Sequence, residues 1–469
     1  MSVPPPPSRA ASLRPHFTPR EETRRLLIIS APLIVAYLAD FAMFATIKLV
    51  VGELGFKELA AVGLGASLTF EVSLVLAGLL SITAVLAAQA EGAGRKAEAG
   101  NAMRQGMIVA ALIGLPMSAL VWNIDAIMRW TGQDPEVIAL AAPFGQTVAF
   151  YVLPSLFFVV ARDFTAALSR TRAVMVISFL ALPLNWALAE GLVHGRFGLP
   201  AMGVAGAGAT ISIIHWGMLF ALIGYIYFTP ALRGYGVFRG RLRVDLPVIG
   251  EVFRLGLPIA GLVAVEAGMF TAVGLLSGRI GAEMLAAHQV LMAWIGIPFV
   301  IAAGLAEGAM VRVAHGVGRG DAPGARQAGF VGLALGAGLL ILLVVFPLTL
   351  AEEITAMFVS ADDPGHGEVL TLVTSIMTVA AIFQVFDGAQ VIMARSLRGL
   401  KDGYYPLWLG AFGYWVMGIG GGYVLAFPVG WGGEGLWIGL AMGLIVTAIL
   451  LTARFALLSR RLIKAARAG

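Results

Sequence analysis

Apolar residues fill twelve stretches of this 469-residue chain, and the charged residues gather between them. The stretches cover about 26–51, 59–88, 102–122, 137–160, 173–193 and 201–228 in the first half, then about 250–278, 285–311, 326–348, 369–394, 404–427 and 434–457. Each reaches the roughly 20 residues that a helix needs to cross a hydrocarbon core of about 30 Å. In lipid the backbone must satisfy its own hydrogen bonds, so unbroken apolar runs of this length predict helices. The predicted fold is an all-α polytopic membrane protein with twelve transmembrane helices.

The pattern is also written twice. Pro32 precedes Asp40 by eight residues in SAPLIVAYLADF, and 226 residues later Pro258 precedes Glu266 by the same interval. Gly92-Ala93-Gly94-Arg95 after the second span matches Gly316-Val317-Gly318-Arg319 after the eighth, at an offset of 224. Arg162 corresponds to Arg398, and Gly203 and Gly206 correspond to Gly432 and Gly435. Six spans per copy is an even number, so both copies enter the membrane in the same direction. Their pseudo-two-fold axis then lies along the membrane normal, with a cavity between two six-helix lobes. The expected order is a disordered arm over 1–20, an N-lobe over 21–232, a linker over 233–247, a C-lobe over 248–458 and a basic tail over 459–469.

Composition fits a membrane protein, with 59% of residues hydrophobic and 13% charged. The net charge of +5 does not point to nucleic acid, because the basic residues sit in the connections. Counting from the N-terminal side, the connections on that side and the residues flanking them hold 27 of the 32 Lys and Arg residues. The other side holds Lys57, Arg129, Arg196 and Arg279, and Lys48 lies within the first span. This bias predicts cytoplasmic termini in an inner (plasma) membrane of bacterial type. The far-side loop bearing Glu352, Glu353, Asp362, Asp363 and Glu368 is acidic, as that side allows. The proline-rich, basic N-terminus has no apolar core of the kind a cleavable signal carries. Cysteine is absent, which excludes disulfides, thiolate metal sites and thiol nucleophiles. The Gly-x-Gly-Arg turns have no Walker lysine pattern and follow no strand, so no ATP site is expected.

Candidate chemistry lies in the few ionisable groups at membrane depth, where such groups are rare and usually functional. Asp40 occupies the middle of span 1, Glu266 the middle of span 7, and Asp387 lies about two turns from the N-terminal-side end of span 10. If spans 7 and 10 pack together, two carboxylates share a poorly hydrated site, and a proton or a monovalent cation such as Na+ would relieve their repulsion. Asn185, Glu71, Phe383, Gln384 and Met269 are candidates for the wall of a substrate or cation cavity. Asn185 could equally patch the kink at Pro183. His215 reads better as a satisfied core group, Lys48 as a snorkelling side chain, and Glu190 and Glu307 as structural groups near water. No cofactor is expected beyond the transported H+ or Na+. The expected partners are lipophilic or cationic small molecules and membrane lipids, the protein acting as a monomer and not on nucleic acid.

Several segments carry a family resemblance: LGLPIAGLVAVEAGMF at 255–270, AAHQV at 286–290, RVAHGVGRGD at 312–321, SLRGLKDG at 396–403, AQAEGAGR at 88–95 and GRFGLPAMGVAGAG at 195–208. With them the chain resembles the multidrug and toxic compound extrusion (MATE) family, in its NorM-type bacterial branch, over residues 20–460. The resemblance implies a twelve-helix, two-lobe exporter of cationic or amphipathic compounds in exchange for H+ or Na+. It also implies that Glu266 and Asp387 form the coupling-cation site. The family's usual Asp-Thr pair late in helix 1 aligns with Ile47 and Lys48, and Asp40 lies two turns earlier on about the same face. Ala189 stands where some members carry an acid, and Phe383 where some sodium-coupled members carry tyrosine. The competing readings fit less well. A lipid-carrier flippase wants a cationic cavity, an intramembrane enzyme wants a nucleophile or metal cluster, and a channel wants more than isolated charges.

Overall fold

The computed structural model describes residues 15–130, 132, 135–239, 243–356 and 365–468. Twelve helices long and apolar enough to span a membrane follow one another in chain order. In the first half they are α1 (Pro19–Gly52), α2 (Phe56–Gly92), α3 (Lys96–Trp122), α4 (Pro135–Ala167), α5 (Arg172–His194) and α6 (Val204–Phe228). In the second half they are α7 (Leu246–Ile280), α8 (Ala282–Gly318), α9 (Ala322–Thr349), α10 (His366–Gly399), α11 (Tyr404–Ala426) and α12 (Gly432–Arg467). Of the acidic far-side loop, Asp362 and Asp363 lie outside the described residues, as do residues 1–14 of the arm and 240–242 of the linker.

Helix ends run past the apolar stretches because polar residues with good helix chemistry continue them. Thr18 caps α1, accepting the Glu21 N–H at 3.3 Å while the Glu21 carboxylate accepts the Thr18 N–H at 2.8 Å, with Pro19 at the first helical position. The helix thus begins two residues inside the segment assigned to the arm. The residues before it lie on the C-lobe: the His16 N–H donates to Asp321 at 3.1 Å and Gln327 donates to the Phe17 carbonyl at 3.1 Å. Most of the basic tail is likewise helical, and Arg326 of α9 holds it through the Ala456 carbonyl and Ser459 hydroxyl.

Both lobes follow one packing plan. Helix α2 runs along α4 and α4 along α6, as α8 runs along α10 and α10 along α12; α5 packs against α1 and α6, as α11 packs against α7 and α12. Between lobes, α1 lies on α8 and α7 on α2, the exchange that a two-fold along the membrane normal produces. Close approach here depends on small residues. The seam seats Gly304 and Gly308 against Ile34 and Ser30, Gly78 against Ala260 and Val263, Gly256 against Leu79, and Gly92 against His315. These contacts lie in the half of the molecule that carries the chain termini, the terminal face. Further out the lobes part. Glu71 lies on the same side of α2 as Gly78, two turns outward, and is exposed, as is Lys48 near the outer end of α1.

Outside the spans, Tyr235 donates to Glu91 at the end of α2 (2.9 Å). Burial, reinforced by the Glu91 carboxylate, pushes its hydroxyl above the ordinary tyrosine range. The proton therefore stays in place at physiological pH, and the link between the connecting segment and α2 persists.

Helix α11 widens into a π-helical stretch over Phe412–Gly420. A π-bulge rotates the following face, and here it turns Gly418 and Gly422 onto Gly443 and Gly439 of α12. A Cβ on Gly439 would collide with the Gly422 backbone. Gly439→Ala is expected to destabilise the protein by about 1–3 kcal/mol through overpacking, read as a lower melting temperature in detergent. An unchanged melt would show that the two helices have room to separate.

Candidate functional site

The C-lobe site is assembled from three helices. Val263 of α7 packs on Gly78 at the seam, and Glu266 follows one turn outward, where the lobes begin to part. Its side chain is partly exposed, whereas Asp387 on α10 is 2% exposed. The expected juxtaposition of spans 7 and 10 is present, but the acids meet through a third group. Gln390, one turn after Asp387, donates its amide to Glu266 Oε1 at 2.7 Å and to Asp387 Oδ1 at 3.3 Å. Its own oxygen accepts the hydroxyl of Tyr414, from the π-helical stretch of α11, at 2.7 Å. Gln390 and Tyr414 are fully buried.

This arrangement has a plain chemical reading. Each carboxylate uses one oxygen on the amide and keeps the other, so the pair retains sites for a proton or a small cation. Glu266 is the more accessible of the two acids, and Asp387 is buried.

The other predicted residues divide between core and cleft. Met269 and Phe383 are fully buried in this conformation. Met269 points to Gly418 of α11, and Phe383 stands between Phe270 (6.2 Å) and Trp437 (5.6 Å), so both pack the lobe interior instead of reaching solvent. Gln384 is also buried, and neither end of its amide has a partner among the described residues. Glu71 is exposed on the α2 face that leaves the seam.

In the N-lobe, Asp40 is partly exposed, and its Oδ1 is buried without a hydrogen-bond partner among the described residues. Asn185 donates to the Met43 carbonyl at 3.2 Å, which pins α5 to α1 one turn beyond Asp40. His215 bonds the Ile211 carbonyl at 2.8 Å and meets Tyr151 edge-on at 4.5 Å, a satisfied core group. Glu190 pairs with Arg196 at 2.6 Å.

Glu307 departs from expectation. Its position at the end of an apolar stretch implies nearby water, but α8 continues eleven residues beyond it, so Glu307 is buried and pairs with Arg395 of α10 at 3.0 Å. It belongs to a larger set of buried polar links at the terminal face. Arg312 of α8 grips Glu22 of α1 through two 2.7 Å bonds, Arg398 of α10 donates to Ser81 of α2 at 2.9 Å, and Gln89 of α2 donates to the Gly399 carbonyl at 3.1 Å. All three cross between lobes.

The chain has relatives along nearly its whole length. The family model MatE matches twice, over residues 32–189 and 258–424, so its two matches begin 226 residues apart, the same interval that separates the two proline–acid pairs. A protein of Rhizobium meliloti described as probable multidrug resistance protein NorM is 35% identical over 93% of this chain and 94% of its own length. One of Pseudomonas aeruginosa with the same description is 36% identical over 96% of this chain and 92% of its own. Among solved structures, a eukaryotic MATE transporter superposes with a TM-score of 0.85 at 24% identity, covering 96% of this chain and 99% of the other. An outward-facing multidrug resistance MATE family transporter superposes at 0.84 with 19% identity, covering 94% and 96%. With its duplicated lobes, its seam and this breadth of likeness, the chain belongs to the MatE family of multidrug and toxic compound extrusion transporters.

Proposed function

We propose that this protein is a secondary active multidrug antiporter of NorM type, exporting lipophilic or cationic compounds in exchange for H+ or Na+ by alternating access. The observation that carries the reading is the Glu266–Gln390–Asp387 bridge, set where the lobes part. A partly exposed acid there can attract a cationic drug by charge, with dispersion and cation–π contacts from aromatic groups adding to it. When H+ or Na+ neutralises the acids, the drug loses its counter-charge and leaves. The Lys and Arg bias supports a cytoplasmic terminal face in a bacterial-type inner membrane. The seam is then the closed cytoplasmic side of an outward-opening state.

The energy needed is within reach of an ion gradient. A proton or sodium gradient equivalent to ~100 mV supplies about 2.3 kcal/mol per cation exchanged, which corresponds to roughly 50-fold accumulation. In proteoliposomes loaded with a fluorescent cationic drug, efflux against a drug gradient is expected under an imposed pH step or sodium step. No uphill efflux is expected with both collapsed. Uphill transport that persists without either gradient overturns antiport; the step that works names the ion.

A further inference from the structure

We infer that Gln390, oriented by Tyr414, is the positioning residue that turns neutralisation of the acids into movement of α7. The inference rests on reading Glu266 and Asp387 as the coupling site. A primary amide has two N–H donors and one acceptor oxygen. The oxygen accepts from Tyr414 at 2.7 Å, which a carbonyl oxygen can do only if the phenol donates. Both donors are thereby aimed at the acids, one bond to each.

Glu266 is on α7 and Asp387 on α10, so the amide braces two helices. Hydrogen bonds to a charged acceptor are roughly twice as strong as neutral ones. When a proton or cation takes the charge from either acid, its bond to Gln390 weakens and the brace slackens. The slack is felt at once by the neighbouring lobe, because Val263, one turn from Glu266, is packed on Gly78 of α2 at the seam. A buried amide with all three bonds made is rigid while the acids are charged, and that rigidity makes its loosening informative.

Among the described residues, Glu71 of α2 lies on the face toward α7, about one turn further out than Glu266, and the other charged or titratable groups stand further off or are otherwise engaged. On α10, Arg395 and Arg398 lie about 12 and 16 Å along the helix from Asp387 by rise. Arg395 is held by Glu307 of α8, and Arg398 by Ser81 of α2. On α8, His288 lies against Trp437 at 5.6 Å. Tyr414 is the titratable group that α11 brings to the bridge, and α12 contributes the uncharged Trp437 and Thr447 beside it.

The test uses the full-length protein in proteoliposomes, with Gln390→Leu, Tyr414→Phe and Gln390→Asn. Leucine keeps the volume and removes both donors. Drug affinity should stay within about twofold of the parent, because the acids remain, while turnover falls at least ~10-fold, the worth of one charge-assisted bond. The dependence of efflux rate on pH between about pH 6 and pH 8 should flatten. Tyr414→Phe keeps the buried ring and frees the amide to turn, so it should flatten the profile partly. Gln390→Asn, one methylene short, should restore no more than one of the two links and leave turnover low. A merely structural glutamine would lower the melting temperature and leave the pH profile unchanged. If Gln390→Leu and Tyr414→Phe both keep the parent's pH profile and turnover, the inference falls. Loss of efflux in Glu266→Gln and Asp387→Asn would leave the coupling reading standing even then; retained efflux in those two would remove the coupling reading itself.

Discussion

Glu266→Gln and Asp387→Asn are each expected to abolish gradient-driven drug accumulation, a fall of about 50-fold in the ratio sustained by a cation gradient equivalent to ~100 mV. The substitutions are close to isosteric, and both side chains retain an oxygen that can accept from Gln390. What they remove is charge. Glu266 is the more accessible acid and, on the proposed reading, the one a cationic drug meets, so its neutralisation should weaken drug binding about tenfold as well as uncouple transport. Asp387 is buried at 2% exposure, so Asp387→Asn should leave drug affinity nearly unchanged and lose coupling alone. Neither change should harm folding, because taking a charge out of a buried site is often neutral or stabilising. Melting curves at or above the parent's, together with lost accumulation, are the expected pair of results. Parental accumulation from either variant would mean that the coupling charge lies elsewhere, with Asp40 the next group to test.

Much of the architecture was legible because lipid imposes a coarse, strong constraint. The apolar run of 369–394 marks the hydrocarbon-facing part of α10, and the helix extends three residues before it and five after it. The difference arises because apolar residues mark only the bilayer core, while polar turns beyond it continue the same hydrogen-bond ladder. The repeat was legible in the prolines and acids, since each serves its own lobe in the same way. The bridge was not. A glutamine and a tyrosine within apolar spans look like packed residues with a polar tip, and only tertiary structure joins Gln390 to Glu266, 124 positions away. One local signal existed: Gln390 stands at i+3 from Asp387, within reach on the same helix face. The burial of Glu307 is hidden for the opposite reason: its apolar stretch ends near it, yet the helix runs on to Gly318 and carries it into the packed interior. Glu22 and Arg312 lie just outside the apolar stretches that begin at 26 and end at 311, and nothing in their sequence neighbourhoods pairs them.

That last pair gives the other large effect. Arg312 and Glu22 are 290 positions apart, on opposite lobes, joined by two 2.7 Å bonds with side chains 4% and 3% exposed. Removing one partner of a buried pair leaves an uncompensated charge, at about 3–5 kcal/mol. In a two-lobe transporter the penalty has an escape short of unfolding, because parting the lobes at the terminal face hydrates Glu22. Arg312→Ala should therefore shift the conformational balance more than the fold. At 1.4 kcal/mol per decade the lower figure amounts to at least ~100-fold toward the state open at that face. The chain has no cysteine, so a single Ser30→Cys reports cleanly, since Ser30 is fully buried against Gly308 at the seam. Labelling of that thiol by a membrane-impermeant maleimide, applied from the terminal face, should accelerate by that factor in Arg312→Ala. Replacing both partners by leucine removes the stranded charge while keeping bulk, and should bring labelling most of the way back. Labelling of Arg312→Ala at the parental rate would show that the glycine contacts hold the seam unaided, and that the ion pair confers pairing specificity on the lobes without deciding which face is closed.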